Sequence, residues 1–307
     1  MKVCVLGGSG FVGTALVTRL ARERQVVRVV TRKLAHAAEL RVLDAVELRQ
    51  ANVHVPGVLE PLFAGCDAVV NLIGILNPAG RATFASVHTQ LAASVLAAAR
   101  NAGVRRLLHM SALGAASDGP SQYLRSKGAA EARLRAVPSA EPAQPAVTIF
   151  QPSVIFGARD SLTNRFARLL RLSGGWLPLA RARARFAPIS VLDVTEAMVR
   201  ALGTSASAGA VYELCGPEVL TLEEIVRLTA RVAGLPCRIV RVPDVLGRLQ
   251  GVVMGALPGK PFSLDNFRSL TRDCVCRENG CAALGITPRP MLAELPLYLG
   301  SGSSGGG

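Results

Sequence analysis

Tyr123 and Lys127 stand four residues apart in the run Tyr123-Leu124-Arg125-Ser126-Lys127, and Ser111 precedes them in the chain. On a helix, residues four apart share a face, so the phenol and the ammonium can look into one cleft. A phenol with an ordinary pKa of ~10 exchanges protons at neutral pH only when a cation lies beside it. Lys127 supplies such a cation, and Ser111 a hydroxyl able to hold a carbonyl or an alcohol; together they are the parts of a general acid–base reduction or oxidation. Tyrosine–lysine pairs at this spacing are common on helix surfaces, so the meaning of this one depends on what surrounds it.

What surrounds it is a nucleotide turn. Gly7-Gly8-Ser9-Gly10-Phe11-Val12-Gly13 joins an apolar run, Lys2 to Leu6, to an amphipathic one, Phe11 to Arg22. In such a turn Gly7 permits the tight reversal, Gly10 lets a pyrophosphate approach the backbone, and Gly13 allows the helix to pack closely on the strand. Phe11 and Val12 carry the free N–H groups of the helix start. The second apolar run ends in Thr31-Arg32-Lys33, with no acid where a ribose-binding Asp or Glu would stand. Cations there suit the 2′-phosphate, so NADP(H) is the expected cofactor, with NAD(H) admissible; Arg32 is the direct contact and Lys33 its support. By order along the chain Asn52 should approach the adenine, and Gly74 should pass beneath the cofactor.

The elements that must position these groups follow from periodicity. Strands are predicted at Lys2–Leu6, Val26–Val30, Val46–Gln50, Ala68–Ile73, Arg105–His109 and Val147–Phe150, and helices at Phe11–Arg22, Leu34–Val42, Val58–Ala64, Ala82–Asn101 and Ser121–Val137. This alternation predicts an α/β fold, a doubly wound parallel Rossmann sheet spanning 1–154. Residues 155–299 are expected to form a smaller C-terminal α/β substrate lobe, with a return to the first sheet near Phe186–Asp193. Thr221 and Glu224 predict a capping box and Gly234 the end of that helix. Further strands are expected at Val211–Cys215 and Arg238–Val242. Residues 300–307, a Gly/Ser tail, are assigned no function.

The segments VLGGSGFVG, NLIGIL, RRLLHMSALGA, SQYLRSKGAAE, QPSVIFGARD, ISVLDVTEAM and YELCGPEVLTLEEIV occur in order across nearly the whole chain. In this combination the sequence resembles an atypical, extended-like short-chain dehydrogenase/reductase of the NAD-dependent epimerase/dehydratase superfamily. More closely, it is similar to the group containing the nucleotide-binding accessory subunit of respiratory complex I and its bacterial relatives. The resemblance implies a tightly bound NADP(H), a small lobe over the nicotinamide end, and Gln151 to Gly157, including Pro152, along that pocket. It implies no substrate, and accessory members of the group hold the nucleotide without a settled reaction. Gln151 departs from the arginine often found before the Pro-Ser-x-x-Phe-Gly segment, and His88 from the usual asparagine; both argue against a sugar-nucleotide epimerase or dehydratase.

A net charge of +14 and a pI near 10.5 point to anionic ligands, an acidic protein partner or a membrane surface. With aromatic residues at 4%, the stacking modes of nucleic-acid binding lack their usual side chains. Helix Asn164–Leu172, with Arg165, Arg168 and Arg171, is one candidate cationic stripe. The seven cysteines are odd in number and scattered, which favours free thiols over a disulfide framework, and Cys274, Cys276 and Cys281 lack a fourth ligand for a metal. His109 reads as a packed strand residue, and His88 as a residue facing the cleft. No secretory leader or membrane span is expected, which places the protein in the cytoplasm, with a peripheral position at the inner membrane face admissible. Two functions compete: an NADP-dependent oxidoreductase of an apolar carbonyl, alcohol or quinone-related compound, and a non-catalytic nucleotide-binding scaffold of a membrane respiratory complex.

Overall fold

The computed structural model describes residues 1–136, 144–256 and 262–299; Val137 and the tail 300–307 lie outside the described residues. Six runs of β-branched and apolar residues form β1 (Lys2–Leu6), β2 (Val26–Thr31), β3 (Val46–Gln50), β4 (Ala68–Asn71), β5 (Arg106–Met110) and β6 (Ala146–Pro152). Between them lie α1 (Phe11–Arg22), α2 (Leu59–Phe63), α3 (Leu91–Asn101) and α4 (Gln122–Arg135). Successive strand residues point to opposite faces, and both faces are covered. Val3, Val5, Val27 and Val29 pack with Leu16, Val17 and Leu20 of α1. Cys4, Leu6, Val69 and Leu107 pack with Val95 and Leu96 of α3 and Ala130 and Leu134 of α4.

Beyond β6 the chain runs through β7 (Ile155–Phe156), α5 (Thr163–Leu172), β8 (Trp176–Ala180), β9 (Arg185–Phe186) and β10 (Ile189–Ser190). Helix α6 (Val191–Gly203) then returns to pack its buried Val194, Ala197, Met198 and Ala201 in the core that α1 shares. A second return follows, since β11 (Val211–Leu214) pairs in parallel with β6 and becomes the seventh strand, giving the order β11-β6-β5-β4-β1-β2-β3. The run Val211–Cys215, expected among the elements of the second half, thus belongs to the first sheet. The lobe itself is built from α5, β8, β9, β12 (Leu220–Thr221), α7 (Leu222–Val232), β13 (Arg238–Val242), α8 (Asp244–Ala256) and α9 (Leu264–Ser269). Thr221 and Glu224 make the capping box of α7, and Gly234 follows its end at φ +65°.

Three expectations need correction. Leu34–Val42 forms tight 3₁₀ turns broken at Ala37 (φ −114°, ψ 17°), because no side chain caps its first turn and few of its residues are buried. The helix expected from Ala82 begins at Ala85 as a π turn, Ala85–Gln90, before α3. The cysteines are not all free: Cys215 and Cys276 form a disulfide with Cα atoms 6.0 Å apart despite a separation of 61 residues. The fold brings them together because Cys274 N–H donates to Arg185 O (2.8 Å) and Ala187 N–H to Cys274 O (3.0 Å), laying Cys274 along β9, while Gly216 N–H donates to Ala187 O (3.1 Å) and holds the residues after β11 to the same place. Spacing along the chain carries no trace of that adjacency.

Helix α1 rests on the end of β1 through glycine alone. Gly7 turns the chain at φ +78°, and a Cβ on Gly13 would lie 2.2 Å from Gly7 O and 2.6 Å from Gly8 Cα. Backbone cannot yield as a side chain can, so Gly13→Ala is expected to lower stability by about 1–3 kcal/mol, read as a lower urea midpoint with an unchanged slope.

Candidate active site

The strand order reverses between β1 and β4, and the carboxyl ends of these two strands open a crevice at the reversal. The glycine turn forms one wall. Gly10 caps α1, and the first backbone bond across the cap runs from Thr14 N–H to Gly10 O (2.8 Å), so the amides of Phe11, Val12 and Gly13 precede it with no carbonyl of their own. A Cβ on Gly10 would meet only Gly7 O, at 3.2 Å, which leaves the turn open on its outer side. The Phe11 ring lies against Gly157, whose added Cβ would stand 3.2 Å from it, so the segment after β6 closes over the start of α1.

At the end of β2, Thr31 Oγ1 stands 3.1 Å from Ser9 Oγ, fastening the strand to the turn. Arg32 and Lys33 follow it, both exposed, and neither enters an ion pair among the described residues. Asn52, exposed after β3, accepts a hydrogen bond from His54 N–H (3.2 Å) at the sheet edge. Pro152 ends β6, buried, and its carbonyl accepts from Leu113 N–H (3.0 Å).

Helix α4 carries the chemistry to the other wall. Ser121 caps it, accepting from Leu124 N–H (3.1 Å), and Asp265 of α9 accepts from Gln122 N–H (2.6 Å) and Tyr123 N–H (3.0 Å). Lys127 is buried; its ammonium donates to Met110 O (2.8 Å) and would stand 3.4 Å from a Cβ on Gly74. Burial lowers it to about 8, against the opposing pull of Glu131. Tyr123 is half-buried, edge-on to His88 (5.5 Å between centroids) and to Phe84 (6.1 Å). Burial, and secondarily Cys274, push its phenol above the ordinary value. The expectation that Lys127 lowers it is therefore corrected: the ammonium is bonded to Met110 O, and loss of solvent around the phenol dominates.

Ser111, at the end of β5, is buried and donates its hydroxyl proton to Glu131. The same carboxylate accepts from Gln151 Nε2 (2.7 and 2.8 Å) and from Arg135 (2.5 Å). Gln151, expected along the nicotinamide pocket, thus turns its amide onto Glu131. Sequence reasoning missed Glu131, although the signal was present: Tyr123, Lys127 and Glu131 recur at four-residue intervals along one face of α4. Asp265 carried no such signal, since it reaches α4 from far along the chain.

His88 does face this region, but as a fixed neutral strut. Its Nε2 accepts from Ile75 N–H (3.0 Å), which leaves Nδ1 to donate to Ser126 Oγ (2.7 Å), and the hydroxyl passes its proton to Tyr123 O (2.7 Å). His109 is buried, its Nδ1 3.3 Å from Asn71 Nδ2. Among the described residues no group of three His, Cys, Asp or Glu side chains gathers as a metal site. The α5 arginines all face solvent, while Thr163, Ala167 and Leu170 face inward.

A family model described as NAD(P)H-binding matches residues 7–155. Over 242 residues the chain is 30% identical to a ceramide reductase of Caulobacter vibrioides, covering 79% of this chain and 74% of that protein. The chain belongs to the extended-like short-chain dehydrogenases/reductases. Within the family it is also 29% identical, over 90% of its length and 71% of the relative's, to the mitochondrial NADH dehydrogenase [ubiquinone] 1 alpha subcomplex subunit 9 of Arabidopsis thaliana. Its fold is that of the UDP-glucuronic acid 4-epimerase of Bacillus cereus solved with UDP-glucuronic acid and NAD, with a TM-score of 0.75 over 97% of this chain and 99% of that one at 16% identity. The family binds a pyridine nucleotide, and the open glycine turn with its unpaired amides fits that group.

Burial holds His88 down at about 3, below its ordinary range. Between its ordinary value of ~6.5 and about 3 the unfolded chain binds a proton there that the folded chain refuses, so stability falls as pH drops through that window. The His88 ring resonances should accordingly stay constant from about pH 8 to about pH 5 in an NMR titration, and His88→Gln should flatten part of the acid slope of the melting temperature.

Proposed function

We propose that the protein is an NADP(H)-preferring oxidoreductase that reduces an apolar carbonyl or a quinone-related compound, the reverse oxidation of an alcohol being its microscopic counterpart. The observation that carries this reading is Lys127. An ammonium has three donors, and this one, 4% exposed, commits one of them to Met110 O beside Gly74. A buried cation so placed calls for further acceptors, which the hydroxyls of a nicotinamide ribose would provide.

The glycine turn and the α1 amides would hold the pyrophosphate, and Arg32 and Lys33 the 2′-phosphate, with Asn52 toward the adenine. When bound, the nicotinamide supplies the hydride. Tyr123, kept protonated by its surroundings, gives its phenolic proton to the substrate oxygen, while Lys127 holds the nicotinamide ribose beside it. Ser111, whose hydroxyl proton is committed to Glu131, can accept from the hydroxyl of an alcohol but has no proton to give a carbonyl oxygen while that bond stands.

A second reading is a non-catalytic nucleotide-binding accessory protein whose basic lobe meets an acidic protein or a membrane surface. The Ser111–Glu131–Gln151 network favours it, because a hydroxyl fixed by a buried carboxylate also serves rigidity. In that role bound nucleotide stabilises the fold by mass action.

Calorimetry should find NADPH bound more tightly than NADH, with Arg32→Glu cutting the NADPH preference at least about tenfold; an unchanged ratio would remove Arg32 from the site. In a panel of apolar carbonyls and quinones, Tyr123→Phe should keep NADPH affinity within about twofold while slowing cofactor oxidation by about 10²-fold or more. Tight binding without oxidation by the wild type selects the accessory reading, and absence of binding overturns both.

A further inference from the structure

Helix α8 is built inside out. Its buried residues are Gly247 and Gly251, and a Cβ on Gly247 would stand 2.8 Å from the Phe267 ring and 2.9 Å from Ala180 Cβ. A Cβ on Gly251 would stand 3.1 Å from the backbone of Leu264. The glycines thus form the seam against β8 and α9. The large apolar residues face water: Val245 is 78% exposed, Leu246 55%, Leu249 58%, and Val252 and Val253 each 56%. At about 100° per residue these five fall within a sector about 120° wide, centred opposite the glycine seam. A surface helix ordinarily turns such a stripe inward.

The neighbouring ribbon exposes apolar residues of its own on the face that α8 lies along. Strands β8 and β13 pair in parallel with Arg238 opposite Trp176, Val240 opposite Pro178 and Val242 opposite Ala180, so these residues share one face. Ala180 lies under Gly247, and Gln250 Nε2 reaches Pro178 O (3.4 Å), so α8 runs along that same face. Beside it stand Trp176 and Val240, 52% and 48% exposed, with the Arg238 guanidinium 5.3 Å above the indole ring. Arg238, and Arg248 on the flank of α8, enter no ion pair among the described residues.

We infer that the α8 stripe, with Trp176 and Val240, is a docking surface for the headgroup–acyl boundary of an anionic lipid bilayer. Exposed aliphatic residues, an indole at the margin and arginines at the rim are the composition of a helix that lies in the plane of a membrane. The net charge of +14 draws the chain to an anionic surface and repels a second copy of itself. No described helix is long and apolar enough to cross a membrane, so α8 would lie on it rather than span it. The surface is independent of the reduction chemistry and holds whether or not the protein turns over; its failure would leave the nucleotide reading standing.

The chain contains a single tryptophan, Trp176, so its emission reports on this face alone. The full protein should float with phosphatidylcholine vesicles containing about 30% phosphatidylglycerol, with a blue shift of that emission, and should bind pure phosphatidylcholine weakly. Leu249→Glu with Val252→Glu should weaken vesicle binding at least about tenfold while leaving NADPH affinity and the melting temperature unchanged, because both side chains face solvent. Arg238→Glu with Arg248→Glu should flatten the salt dependence. Absence of binding to the anionic vesicles overturns the inference. Binding that Leu249→Glu/Val252→Glu does not reduce, or a wild-type dimer that this pair of changes dissolves without any effect on vesicle binding, overturns it equally.

Discussion

The closeness of α1 to β1 sets the geometry of everything else in this molecule. Because Gly13 has no side chain, the first turn of α1 presses onto the backbone of Gly7 and Gly8, and the helix axis points at the end of β1. Its unpaired amides and the positive end of its dipole then face the crevice where the strand order reverses. With that wall fixed, the loop after β4 passes beside it, a Cβ on Gly7 lying 3.3 Å from Ile73 Cγ1, and carries Gly74 to Lys127.

How much of this was legible in the sequence varies with the range of the interaction involved. The strands of the first half and the turns that end them are local statements: β1 falls on an apolar run and β3 on an alternating one, each within the expected bounds. The 3₁₀ segment at Leu34–Val42 and the π turn at Ala85–Gln90 escaped because periodicity reports which face is apolar, not how tightly the backbone winds. The chemistry-bearing stripe of α4 was legible for Tyr123 and Lys127, whose types announce proton transfer. Glu131 sat at the next position of the same stripe but is defined by its partners, and Ser111 and Gln151 come from separate strands. The strand at Val211 was legible, but its pairing with β6, the disulfide and the capping of α4 by Asp265 depend on contacts between residues far apart in the chain, which no local pattern encodes. The outward stripe of α8 has ordinary amphipathic spacing; only burial tells which side of it meets the protein.

The lobe is joined to the chemistry more closely than a two-part description suggests. Asp265 of α9 completes the first turn of α4, and Ser269 Oγ donates to Ser121 Oγ, the cap of the same helix (2.8 Å). Helix α9 also supplies Phe267 and Leu264, against which the glycines of α8 are seated. One short helix therefore holds both the start of the helix that bears Tyr123 and the inner side of the exposed apolar stripe. A shift of α8 by the width of one side chain would be felt at the cap of α4, since neither glycine contact has room to absorb it.

The bond between Cys215 and Cys276 bears on this arrangement in a different way. The chain between these residues includes α7, β13, α8 and α9, and its two ends are pinned with Cα atoms 6.0 Å apart at the margin of the sheet. Whatever happens inside that stretch, it remains a closed loop rather than a dangling arm. Should α8 and α9 come away from their seats, the distance they must travel back is bounded by the loop itself, and part of the entropy of re-docking has already been removed by the covalent closure. The part of the lobe between these cysteines is thereby tethered at both ends to the margin of the sheet that carries the nucleotide turn.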